Sequence, residues 1–314
     1  MDAQKKNQES SFVFYSHIQA TPFLLEPIAK EAPLLVLSKN AQEGKELLAA
    51  WQFFYPQRKI AYFPDWELLP YERFSPHRDL VSERLSTLWK IASEGIEVLI
   101  SPLTTAMQLL PPQEFILQRT LWLEKGQTMD VTTFRERLVE NGYEHVNQVI
   151  APREFSVRGS VLDLYPMGAA EPYRIDLFDN EIDNIRTFDP LSQHSRDEVP
   201  EIHLLPAHEF PTDPESIKLF RARFLEVLGG NAKKAHPFKS VSRAMFGRGV
   251  EFYFPLFFKE KASSLLDYLP ENTRIVETPA LGELARQWEE EVKRRFKWVE
   301  QDPDYPPLPF DYLY

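Results

Sequence analysis

Cysteine is absent from the 314 residues. Its absence excludes disulfides, thiolate nucleophiles and cysteine-based zinc sites together, and is consistent with a cytoplasmic protein. Excess positive charge is lacking too. Lys and Arg number 36 against 47 Asp and Glu, for a net charge of −11. Phosphate binding rests on clustered Lys and Arg, so this balance argues against a free nucleic-acid binder, though local basic patches stay open. No run approaches roughly 18 apolar residues, so no transmembrane helix and no membrane partner are expected. The start, MDAQKKNQESSF, has no apolar core of signal-peptide length.

Catalytic patterns are equally sparse. The seven histidines form no H-E-x-x-H and no paired metal spacing. His203 and His208 flank LLPA and are read as structural. Asp163 with Asp176, or Asp179 with Glu181, could be imagined as acid/base couples, but nothing else converges on these carboxylates. No catalytic residue, cofactor or metal is expected. The one phosphate-loop candidate is SKNAQEGKEL, where G-x-x-x-x-G-K-[ST] would be needed. Gly44-Lys45 stands where Gly-Lys could stand. Lys39 occupies the first glycine position, however, and Glu46 replaces the hydroxyl that would hold Mg²⁺. A carboxylate there would repel phosphate. The stretch reads as an ordinary helix start or as an inactive relic.

What is present is a large apolar complement: 43% hydrophobic residues and 13% aromatics, enough for a sizeable core and for two or three domains. The first third alternates periods. PLLVLS (Pro33 to Ser38), KIAYF (Lys59 to Phe63) and EVLIS (Glu97 to Ser101) read as strands. Ala41 to Tyr55 and Asp79 to Glu94 read as helices, the second stopped by Gly95. Strands alternating with helices predict a parallel sheet. After Leu121 one helix remains, Thr132 to Asn141. Then FSVRGSVLDLYP, PYRIDLFDNEIDNIRTF and EIHLLP are divided by turn signals, predicting an antiparallel meander in a second domain. From Pro211 helix returns. PTDPES looks like a capping box from Thr212 to Glu215, and a long helix spans Leu281 to Trp298. The last third is expected to complete the first domain, with the β module inserted between the halves. The run Lys293, Arg294, Arg295 and Lys297 after Glu289, Glu290 and Glu291 suits a solvated helix aligned with its dipole, or a basic patch.

One strand stands out. In YRIDLF, period 2 sets Tyr173, Ile175 and Leu177 on the core face and Arg174, Asp176 and Phe178 on the other. A polar face ending in Phe has two readings. Either a neighbouring loop covers the ring, or Arg and Phe serve as interface anchors, a role in which both types are enriched. Arg158 could join that face if the hairpin folds toward it.

Three stretches carry a family resemblance: PDWELLPYERFSPHRDLVSERLSTLWK, EFSVRGSVLDLYPMGAAEPYRIDLFDNEIDNIRTFDPLSQHS and LLPAHEFPTD. In order and spacing the chain resembles the amino-terminal part of the bacterial transcription-repair coupling factors, and more loosely the excision-repair protein UvrB. The resemblance implies a degenerate RecA/UvrB-like α/β domain with an inserted, mainly antiparallel α+β domain. Residues 1–120 would be domain 1A, 121–207 domain 2 and 208–314 domain 1B. It implies that domain 2 binds UvrA, through contact positions that fall on Arg158, Arg174 and Phe178. Unlike UvrB, the chain lacks an intact phosphate loop, and Pro70 to Ser82 is too short for a DNA-clamping hairpin. The intact family members continue into an RNA-polymerase-interacting domain and motor domains that move on double-stranded DNA with ATP; none of these lies within this chain, which is expected to be a fragment. The alternatives are a nucleotide- or DNA-binding domain of a helicase-like enzyme, or a structural element restraining the motor.

Overall fold

The computed structural model describes residues 17–314; the stretch inspected for a signal core lies outside them. Helix α1 (Thr21–Ala29) leads into strand β1 (Leu34–Ser38), helix α2 (Ala41–Phe54), β2 (Ile60–Tyr62), α3 (Arg78–Ser93) and β3 (Val98–Pro102). From β1 to β3 these match the predicted elements to within a residue or two, whereas α1 was not predicted. The 64–77 connection contains no strand. Short helices α4 (Leu103–Ala106) and α5 (Gln113–Arg119) then lead to β4 (Leu121–Glu124), α6 (Val131–Glu140) and β5 (Glu144–His145). Next come β6 (Glu154–Arg158), β7 (Val161–Leu164), β8 (Tyr173–Phe178), β9 (Glu181–Phe188), β10 (Ser195–Glu198) and β11 (Glu201–Leu204). Helices α7 (Pro214–Leu228) and α8 (His236–Val241), strand β12 (Arg274–Val276) and helix α9 (Pro279–Val299) finish the chain.

The first sheet is parallel, in the order β12-β1-β3-β2. β1 is apolar without alternation because both its faces are covered. Leu35 and Leu37 join one core, with Phe63, Leu85 and Leu88, while Leu34 and Val36 join another, with Leu25, Leu47 and Trp51. Its edge strand β12 comes from the last third of the chain, so that third does contribute to the first layer. The larger core runs on into the second sheet and the late helices, taking in Phe155, Ile175, Phe220, Phe224 and Phe257.

The second sheet runs β10-β9-β8-β7-β6-β5 and is antiparallel except for the β5–β6 pair. The predicted meander needs one correction. EIHLLP does not extend it: β11 leaves the sheet and pairs with β4, which precedes the meander in sequence. Alternation marks a strand's faces but not its neighbour. A second correction concerns α7. Its N-cap is Asp213, whose side chain accepts the Ser216 N–H at 3.0 Å, while Thr212 donates to the Glu140 carbonyl at 2.6 Å. Both residues have capping chemistry, and the tertiary contact to α6 takes Thr212 out of the competition.

Candidate protein-docking face

β8 presents the predicted faces. Ile175 and Leu177 are buried, whereas Phe178 keeps 75% of its surface exposed. No loop covers that ring. It sits at the strand end, next to the tight turn where Asp179 takes a left-handed φ of 54°. The register sets Arg158 opposite Val161, Val161 opposite Asp176, and Asp163 opposite Arg174. Arg158, Arg174 and Phe178 therefore share one face of three adjacent strands. Two strand spacings and one side-chain repeat separate Arg158 from Phe178, or about 12 Å.

The two arginines differ in what they have left to offer. Arg174 was expected to lie exposed and it does not; its side chain is 18% accessible. Its Nε and Nη2 donate to the two carboxylate oxygens of Asp163 at 2.7 and 2.9 Å, and Nη1 donates to the Gln193 carbonyl at 3.1 Å. Its guanidinium carbon lies 4.9 Å from the Phe188 ring centroid. Hydrogen bonding to Asp163 holds the guanidinium further toward its charged form, against the opposing effect of burial. Arg158 is 56% accessible and donates through Nη2 to Asp163 Oδ2 at 2.6 Å. Beside them Arg186 pairs with Asp176.

Asp163 is thus no solvated acid/base candidate. It is 1% accessible and accepts from both arginines, a role missed in the sequence. The sequence carried no signal for it, because the register that sets Asp163 across from Arg174 is fixed only in the fold. Asp176 is tied to Arg186, so Asp163 and Asp176 are each committed to arginine, and Asp179 sits in the turn.

The phosphate-loop candidate closes on its own groups. Asn40 Oδ1 accepts the Glu43 N–H at 2.9 Å, Glu43 Oε2 accepts the Lys39 N–H at 2.6 Å, and Ser38 Oγ donates to the Asn40 carbonyl at 3.0 Å. An anion binds at a helix start through free N–H groups and the dipole; here the Glu43 carboxylate already occupies that position. Gly44 opens no cradle, since a Cβ on it would lie 2.6 Å from Tyr62 Cε2. Glu46 is engaged by Gln42, whose Nε2 donates to it at 2.7 Å, and Lys45 lies exposed on the helix.

His203 and His208 are packing groups. His203 lies against Trp122 with ring centroids 3.5 Å apart and the planes tilted by 52°, and His208 is buried against Phe210. Among the described residues no cluster of His, Asp and Glu could hold a metal ion. No helix of the described residues is long and apolar enough to cross a membrane. On α9, Lys293, Arg294 and Arg295 each pair with an acid of the same helix, Glu289 or Glu291. A buried ion pair that the sequence did not flag ties α3 to the segment after β11: Arg84 Nε donates to Glu209 Oε1 at 2.6 Å, with the side chains 0% and 4% accessible.

Residues 121–210, which hold this face, match the family model of the UvrB interaction domain. The chain is 39% identical over 277 residues to the transcription-repair-coupling factor of Escherichia coli K12, covering 88% of this chain and 24% of that protein. It is 41% identical over 250 residues to the Haemophilus influenzae factor (79% and 22%), and 28% identical over 277 residues to the Bacillus subtilis factor (82% and 23%). Over most of its length the chain is similar to the transcription-repair-coupling factors, and residues 121–210 within it match the UvrB interaction domain. It is a mixed α/β module, with a parallel sheet and an antiparallel insertion. It spans about a quarter of the length of the curated relatives it matches.

Proposed function

We propose that the β5–β10 sheet docks UvrA through Arg158, Arg174 and Phe178. In an intact coupling factor this would bring the excision machinery to stalled RNA polymerase on double-stranded DNA. The observation that carries the reading is Phe178. A ring 75% exposed at the end of a strand whose other outward side chains are paired contributes nothing visible to the fold, yet it is available to a partner. Burying a Phe is worth about 1.5–3 kcal/mol, in the range of interface anchors. The match of residues 121–210 to the UvrB interaction domain supports the same reading. The division into residues 1–120, 121–207 and 208–314 belongs to the proposal, as does the absence of catalysis in this stretch.

The test is a titration of the chain with purified UvrA. Phe178→Ala and Arg158→Ala should each weaken binding by about 2 kcal/mol, roughly thirtyfold, without changing thermal stability. Wild-type affinity in both variants rejects the docking face. Equilibrium dialysis with labelled ATP should detect no binding that depends on Lys45; saturable binding lost in Lys45→Ala would favour a nucleotide-binding domain instead.

A further inference from the structure

We infer that Asp163 is a positioning residue for the docking face: it holds Arg158 in the orientation in which a partner carboxylate can take the remaining guanidinium donors. The inference rests on the docking proposal above.

Asp163 is 1% accessible, on the face that looks outward at Arg158 and Phe178. A carboxylate is buried at a cost that only close hydrogen-bonded cations offset. Asp163 meets this with three donors: Arg174 through Nε and Nη2, and Arg158 through Nη2. Arg174 has spent its fork. Two of its nitrogens go to Asp163, the third goes to the Gln193 carbonyl, and Phe188 backs its plane. It is therefore a braced side chain on the face, with its donors largely committed within the fold. Arg158 has committed one nitrogen and remains 56% accessible. A long, exposed arginine without such a tether samples many rotamers, and ordering it on binding costs conformational entropy. The tether to Asp163 incurs that cost at folding. With one carboxylate shared by two guanidiniums, the cluster keeps one net positive charge, displayed at Arg158. The partner feature that fits is a carboxylate about 12 Å from an apolar recess that takes Phe178.

Geometry and charge predict opposite signs for one substitution, which makes the inference testable. Asp163→Asn removes a negative charge beneath the face. If attraction to an acidic partner were all that mattered, binding would tighten. If Asp163 acts by positioning, binding of purified UvrA should weaken about tenfold. The effect should vanish in an Arg158→Ala background, because Asp163 works through Arg158. Unchanged or tighter binding by Asp163→Asn, or the same tenfold loss in the Arg158→Ala background, overturns the inference. Should Asp163→Asn fail to fold, as judged by circular dichroism, Arg158→Lys carries the test. Lysine keeps the charge but cannot fork between Asp163 and a partner, so it should lose about as much as Arg158→Ala, and wild-type affinity in that variant overturns the inference. Wild-type binding that is lost in Phe178→Ala but indifferent to Asp163 removes this inference alone. Failure of the wild-type chain to bind removes the docking reading and the inference with it.

Discussion

Replacing Arg84 with Met leaves the Glu209 carboxylate buried, 4% accessible, with no cation beside it. In the native fold Arg84 Nε and Nη2 reach the two Glu209 oxygens at 2.6 and 3.1 Å, and Nη1 donates to the Pro64 carbonyl at 2.8 Å. Its guanidinium lies 4.4 Å from the Phe63 centroid and 5.1 Å from that of Trp66. Trp66 Nε1 also donates to Glu209, at 2.9 Å, and survives the substitution. Stranding a buried partner costs about 3–5 kcal/mol, against a total domain stability of about 5–15 kcal/mol. Methionine is flexible enough to stay packed on the two rings, so most of the loss is electrostatic. Adding Glu209→Gln removes the stranded charge and keeps an acceptor for Trp66. The double variant should therefore regain about 1–3 kcal/mol over Arg84→Met alone. Urea denaturation followed by circular dichroism reads both differences from the shift in midpoint at constant slope. A loss under about 1 kcal/mol for Arg84→Met, or additive single effects, would refute the assignment of this pair as the buried tie between α3 and the segment after β11.

Three further outcomes are expected. Gly44→Ala should destabilise the chain by about 1–2 kcal/mol despite alanine's better helix propensity, since the new Cβ meets Tyr62 Cε2 at 2.6 Å and Ser38 Oγ at 2.9 Å; a raised thermal midpoint contradicts this. Burial, reinforced by Arg153 and Arg78, pushes the His208 pKa down to about 3, below the value of about 6.5 in an unfolded chain. The unfolded state binds the extra proton in that window, so the His208 contribution should fall as pH drops from 6.5 toward 3, by up to about 1.4 kcal/mol per unit; His208→Asn should flatten this slope in urea midpoints measured at pH 7, 6 and 5, and an unchanged slope counts against it. Asp213→Ala should cost about 1 kcal/mol through loss of the α7 cap, with more from the pairing to Arg119, and should exceed the effect of Glu215→Ala; the reverse order would restore the capping box read from Thr212.

Local chemistry was enough to determine much of this molecule. Short apolar runs marked β1, β2 and β3 as strands, β1 as a buried one, and helical spacing marked α2, α3, α7 and α9, because burial demands those periods wherever the element ends up. Alternation in YRIDLF assigned Phe178 to the outer face, and the broken phosphate loop was legible in Lys39 and Glu46. Tertiary structure decided the pairings. β12 adds to β1 from the far end of the chain, and β11 abandons the meander for β4. It also decided which charges are free. From sequence Arg158 and Arg174 look alike, and Asp163 looks like any strand carboxylate. Only the register brings all three together, spending Arg174, burying Asp163 and leaving Arg158 with donors to give. The physical reason is that a strand's period specifies which way a side chain points, while the partner that satisfies it lies on another strand, at a distance along the chain that no local pattern records.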